Sequence, residues 1–143
     1  TRAMITGRDA IIELLLTDLS VASMAGERIS AVWATEEVET PYIVVTTISK
    51  DRPHHMGGPS KLVEARLQVD MFAGTRRQCD LLADAVRQAL DGHTGTVTIG
   101  AESLTLQQCH LDSDQDDIEA WDEFAEAPDY FRTTHDYLVV YHE

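Results

Sequence analysis

The chain lacks a long apolar run. Its longest apolar stretch, Ile11-Ile12-Glu13-Leu14-Leu15-Leu16, is broken by a charge and falls far short of the roughly 18 residues a membrane span needs. The opening residues, Thr1-Arg2-Ala3-Met4, show none of the basic, apolar and small-residue zones of a signal peptide. That predicts a chain that stays where it is made, without a membrane partner. Cysteine is scarce: Cys79 and Cys109 stand far apart and without metal-type spacing. Two free thiols in a reducing compartment are expected, with one disulfide as the alternative. Basic residues are few. Eleven lysines and arginines face 25 acids, for a formal net charge of −14. A protein that grips nucleic acid needs a basic stripe to displace counterions from phosphates, so affinity for DNA is not expected. A surface along which DNA slides without sticking remains compatible, and such a charge favours solubility.

Catalytic signatures are also missing. No Ser, Cys or Thr stands in a nucleophile-elbow pattern, and neither an H-E-x-x-H nor a P-loop is present. No enzyme and no cofactor are expected. His54 and His55 are adjacent, so their side chains diverge, and no third ligand follows at a regular spacing; a polar loop tip is favoured over a metal site. Asp112-Ser113-Asp114-Gln115-Asp116 imitates the start of a calcium loop, with Glu123 at the twelfth position. Asp117 stands where such a loop needs glycine, so a solvated acidic loop is favoured over a calcium site.

With 43% hydrophobic residues in 143, the chain suits one domain with a single core. Thr6, with Asp9 three residues on, predicts a capped helix over 7–18 whose apolar stripe includes Ile11, Leu14 and Leu15. One further short turn over 20–25, ended by Gly26, and a short strand over 29–33 follow. The β-branched run 42–48 predicts a strand, and the two prolines and two glycines of 51–60 a loop. Val63, Ala65, Leu67, Val69 and Met71 alternate with Glu64, Arg66, Gln68 and Asp70. That period of two predicts a strand with one face buried and the other meeting water or a partner. Thr75 and Gln78 open a second helix with Leu81, Leu82, Ala85, Val86, Ala89 and Leu90 as its buried stripe and Gly92 past its end. A hairpin turning near Gly100 joins 97–99 to 104–111, and a last alternating strand runs over 130–142. The expected fold is α+β: a mostly antiparallel sheet with two helices packed on one face.

Two connections draw attention. Asp112, Asp114, Asp116, Asp117, Glu119, Asp122, Glu123, Glu126 and Asp129 crowd the segment 112–129, which has no lysine or arginine. A solvated charged loop is one reading. Ile118, Trp121, Phe124 and Ala125 at helical spacing favour an amphipathic segment that docks on the body or a neighbour. The loop 51–60 offers Arg52, His54, His55 and Met56 on a frame stiffened by Pro53, Gly57, Gly58 and Pro59.

The run from Arg52-Pro53-His54-His55-Met56-Gly57-Gly58-Pro59-Ser60, through Ala65-Arg66-Leu67-Gln68-Val69-Asp70-Met71, to Ala83-Asp84-Ala85-Val86-Arg87 and Leu90-Asp91-Gly92, resembles the siphophage tail-completion proteins, also called tail terminators. The opening helix with Gly26-Glu27-Arg28-Ile29 and the closing strand from Phe131-Arg132 share the resemblance. It implies a structural virion protein of the tail or neck, assembled in the host cytoplasm. It also implies a homo-oligomer, a hexameric ring that ends tail-tube growth and joins the tube protein to the head–tail connector protein, with DNA passing through unbound. On this view Arg52, His54, His55 and Met56 form the joining loop, and the acidic segment faces the lumen or an interface. The alternatives are a small acidic regulatory module responsive to calcium, and an enzyme whose site forms only in three dimensions.

Overall fold

The structure, a computed structural model, describes residues 5–31, 41–52, 54–55, 58–59, 62–119 and 130–142. Helix α1 (Gly7–Thr17) starts at a capping box. The Thr6 amide donates to Asp9 Oδ2 at 2.9 Å, and the Asp9 amide donates to Thr6 Oγ1 at 3.2 Å. Two donors that the helix start would leave unbonded are thereby satisfied. Asp18 then acts on both sides. Its amide closes α1 on Leu14 at 3.1 Å, while its carboxylate accepts from the Val21 amide at 3.0 Å and caps α2 (Leu19–Ala25). The expectation of two helices is therefore corrected to three: the turn over 20–25 is a helix because Asp18 gives it an N-cap of its own. Arg28 ties α2 to the sheet, donating from Nη2 to Met24 O at 3.2 Å and from Nε to Pro41 O at 2.9 Å.

Strand β1 (Ile29–Ser30) is shorter than expected, and Trp33 lies outside the described residues. It runs parallel to β2 (Tyr42–Asp51), Ile29 opposite Ile43 and Ser30 opposite Val44. The sheet is thus mixed. A tight turn would have made the pair antiparallel, but 11 residues separate Ser30 from Tyr42. The other pairings are antiparallel. After two short strands, β3 (His54–His55) and β4 (Gly58–Pro59), come β5 (Leu62–Ala73), α3 (Arg76–Leu90), β6 (Gly95–Ile99), β7 (Glu102–Glu119) and β8 (Tyr130–His142). Six strands form one sheet in the order β1-β2-β5-β8-β7-β6, and β3 pairs with β4 alone.

All three helices cover one face. Helix α1 packs on β1, β2, β6 and β7, α3 packs on β5, β7 and β8, and α2 packs against both helices. The alternation of β5 reads as expected: Val63, Ala65, Leu67, Val69 and Met71 are buried beneath Ile11, Leu15, Leu82, Val86 and Leu90, beside Tyr137, Val139 and Tyr141 of β8. Gly7 is required by that packing, since a Cβ there would lie 2.6 Å from the Tyr141 ring. On α3, Thr75 Oγ1 accepts from the Gln78 amide at 3.1 Å, and Gly92 follows the helix end with φ of 82°. One stripe residue departs from expectation. Leu81 is 49% exposed, because the buried stripe is Cys79, Leu82, Ala83, Val86 and Leu90 and Leu81 sits on its flank.

The opposite face of the sheet departs from expectation too. At the β1 side it is dry: Val44, Asp70 and Phe72 are buried, and Tyr42 stacks on Phe72 at 4.5 Å. Asp70 is satisfied there by two donors, Thr134 Oγ1 at 2.6 Å and Gln68 Nε2 at 2.8 Å. Burying a carboxylate without such partners would cost several kcal/mol.

Candidate functional site

The first candidate surface continues the β2–β5 hairpin. The two strands pair out to Asp51 opposite Glu64. Where an irregular loop was expected, a small ladder follows, His54 opposite Pro59 and His55 opposite Gly58. The loop reading is corrected there to a short antiparallel ladder between β3 and β4. Arg52 is exposed just beyond β2, His54 and His55 lie on β3, and Met56 lies outside the described residues.

The second candidate surface is the acidic one, and here the sequence misleads more. Asp112, Asp114, Asp116, Asp117 and Glu119 are not on a connection but on β7, which pairs with β8 out to Glu119 opposite Tyr130. Ile118 belongs to the same strand, so the amphipathic segment is corrected in its first part, and Trp121, Asp122, Glu123, Phe124, Ala125, Glu126 and Asp129 lie outside the described residues. Two breaks in register shape β7, between Leu106 and Gln108 and between Leu111 and Ser113. Each extra residue turns the following side chains to the other face. Leu104, Leu106 and Cys109 are buried under the helices, and after the second break Asp114 and Asp116 follow on that same face.

Each face then has its own polar network. On the helix face, Arg76 at the start of α3 donates from Nη2 to Thr133 Oγ1 at 2.6 Å and to Asp116 Oδ1 at 3.3 Å. Thr133 donates in turn to Asp116 Oδ1 at 2.8 Å, and the Arg76 guanidinium lies 5.6 Å from the centre of the Phe131 ring. His135 is buried beside this group. Its Nδ1 is 3.0 Å from the Tyr137 hydroxyl, and its Nε2 is 3.3 Å from Asp114 Oδ1, close enough for attraction but not aligned as a hydrogen bond. Burial pushes the His135 pKa below its ordinary value, against the pull of Asp114 and Asp116. On the opposite face, Arg66 donates to Asp112 Oδ2 at 2.8 Å, and Ser113 donates to Asp136 Oδ2 at 3.1 Å.

These contacts hold the acidic strand in place. Both cysteines are buried free thiols, Cys79 near Thr133 and Cys109 at mid-strand; burial raises the pKa of each, Cys109 to about 12, so neither is a ready nucleophile. Among the described residues no three histidine, cysteine or carboxylate groups converge to hold a metal. Nor is any described helix long and apolar enough to cross a membrane.

The strand register sets the two surfaces apart. Leu62, His142 and Thr105 lie side by side at one end of the sheet, next to the β3–β4 tip. Ala73, Phe131 and Ile118 lie side by side at the other, with the acidic part of β7. The hairpin residues therefore lie at one end, while the acidic set runs from mid-sheet, at Asp112 beside Arg66, to the opposite end at Glu119. Sequence reasoning misses Asp70, Arg66, Arg76, Thr133, His135 and Asp136 as parts of these networks. Asp70 and Thr134 carry a faint signal, a polar residue at mid-strand in each of two long strands.

The profile of the tail completion protein gp17 family matches residues 9–141. Among curated proteins none matches. Among solved structures, a chain in the "Virion of native gene transfer agent (GTA) particle" superposes with a TM-score of 0.69 at 14% sequence identity, covering 99% of this chain and 96% of that one. At that identity the likeness speaks for the fold.

Proposed function

Because the chain belongs to the tail completion protein gp17 family, structural components of the virion tail or neck, we propose that it caps the head-proximal end of a phage tail. Six copies form a ring on the last ring of the tail tube, tube growth stops there, and the outward face of the ring receives the head connector. Its work is contact rather than catalysis. One domain per copy is enough for this, with the core between helices and sheet as the rigid part.

The observation that carries this reading is the placement of two unlike surfaces at opposite ends of one sheet. Lys50, Arg52, His54 and His55 belong to the hairpin end, while the acids of β7 run from Asp112 and Asp114 at mid-sheet to Asp116, Asp117 and Glu119 towards the other. A cap must bind a tube on one side and something different on the other, or it would polymerise like the tube itself. Basic and polar residues such as Lys50, Arg52, His54 and His55 suit docking to an acidic neighbour or to the tube end. The acidic end, with Asp122 and Glu123 beyond the strand, lines the lumen or an interface. DNA then passes a surface that repels its phosphates and does not hold it.

The test is complementation with a chain in which Arg52, His54, His55 and Met56 are all replaced by serine. The fold should survive, which an unchanged circular dichroism spectrum and melting temperature would verify. The expected outcome is filled heads and separate tails, the tails irregular in length. Normal virion yield would remove the hairpin tip as the joining surface and leave the acidic end as the better candidate.

A further inference from the structure

We propose that neighbouring copies join edge to edge, the outer margin of β2 in one copy pairing with the outer margin of β7 in the next, so that their sheets run on into one another. This rests on the ring reading above and adds the surface by which the ring closes. The sheet ends in a short strand on each side. Strand β1 covers β2 only at Ile43 and Val44, and β6 covers β7 only from Glu102 to Leu106. Just beyond, the Gly92 amide donates to Cys109 O at 2.7 Å and the Leu111 amide donates to Asp91 Oδ1 at 3.0 Å. Among the described residues, no strand pairs with the outer margin of β2 over 45–51 or of β7 over 113–119. A row of such backbone groups is a template for another strand.

The two margins lie on opposite sides of the sheet, one towards the hairpin end and one towards the acidic end. A closed ring needs two different and complementary patches on every copy, and these margins supply two. Their charges give the pairing a direction. Lys50 sits opposite Ala65, whose side chain is on the helix face, so Lys50 projects from that face. Asp114 and Asp116, opposite His135 and Thr133, project from the same face of β7. When two sheets continue into each other, side chains on the same face meet across the seam. Lysine against aspartate is then attractive. Two β7 margins would set aspartate against aspartate, so a twofold pair through β7 is disfavoured while β2 is accepted. Ile48, half exposed in the irregular stretch of β2, would also gain cover at this seam.

The test uses the full chain assembled on tails or at high concentration. Lys50→Cys is combined with Asp114→Cys in one protein and with Asp116→Cys in another, and each is mildly oxidised. The parent, whose Cys79 and Cys109 are buried, is the control. The expected result is a ladder of covalently linked copies on a denaturing gel for at least one double variant, and none for the single variants. In a second arm, Lys50→Asp should weaken association at least tenfold and Asp114→Lys should restore it, with unchanged circular dichroism showing intact folds. Rings of normal mass in light scattering that give no ladder with either pair would overturn the edge pairing and leave the ring standing. Monomers under every condition, on tails included, would overturn the ring and this proposal with it.

Discussion

Strands β5 and β7 belong to the same sheet and are both long, yet they are built on different rules. β5 pairs with β8 without a break over its whole length and buries every second residue under the helices. β7 breaks register twice against β8 and ends in a run of acids. In β5 the chemistry of each position follows from its parity. In β7 parity fails, because each bulge moves the next side chains across the sheet. The lesson is about tolerance. A regular, buried strand constrains each of its residues, whereas a bulged strand at an open margin keeps its backbone pairing while its side chains stay available for contact. Substitutions along the two strands should therefore differ in size.

The largest effect is expected at the centre of β5. Leu67→Asp puts a charge beneath α3 and should cost several kcal/mol, on the order of half a domain's stability. Urea unfolding measures it directly, and an unchanged midpoint would mean that the buried face is misassigned. Next comes the far face of the same strand. Asp70→Ala leaves Thr134 and Gln68 without their acceptor in a buried place, a loss of about 1–3 kcal/mol. A neutral result in the same assay would show that water replaces the carboxylate and that this face is open.

How far these features are legible in the sequence depends on how local their causes are. Thr6 with Asp9, Gly92 after α3, and the alternation of β5 and β8 are signals carried within a few residues, and the structure bears each of them out. Asp18 is equally local but ambiguous, since an N-cap buried in a longer helical pattern looks like a helix interior. The acidic part of β7 reads as a connection because a strand of polar residues has no apolar period; its partner, β8, supplies the pairing that defines it. The burial of Asp70 depends on Thr134, 64 residues away. The opposition of the hairpin tip and the acidic end is a property of sheet order, to which no local pattern points.

The acidic end of β7 and its neighbour β8 should give smaller changes, the first of them dependent on pH. His135 is buried beside Asp114, and its folded pKa lies below the ordinary 6.5. The unfolded chain therefore takes up a proton near that pH that the folded chain refuses. Stability contributed by neutral His135 is complete above 6.5 and falls as pH drops from there to the folded pKa. The loss is about 1.4 kcal/mol for every pH unit crossed in that window. Stability measured between neutral and mildly acid pH should fall less steeply in His135→Gln than in the parent; equal slopes would place the imidazole in a wetter setting. Smallest of all is Asp112→Ala. It removes an ion pair to Arg66 that solvent screens, so less than about 1 kcal/mol is expected, and a loss as large as that of Asp70→Ala would erase the contrast between the strands.

Whether the chain forms a ring at the top of the tail is decided by cryo-electron microscopy of the neck of virions that contain it. Six copies should stand in one ring between the last tube ring and the connector, with the hairpin tips and the acidic ends facing different neighbours. Density for this chain elsewhere in the particle, or a neck whose tube meets the connector without it, would refute the ring and its place.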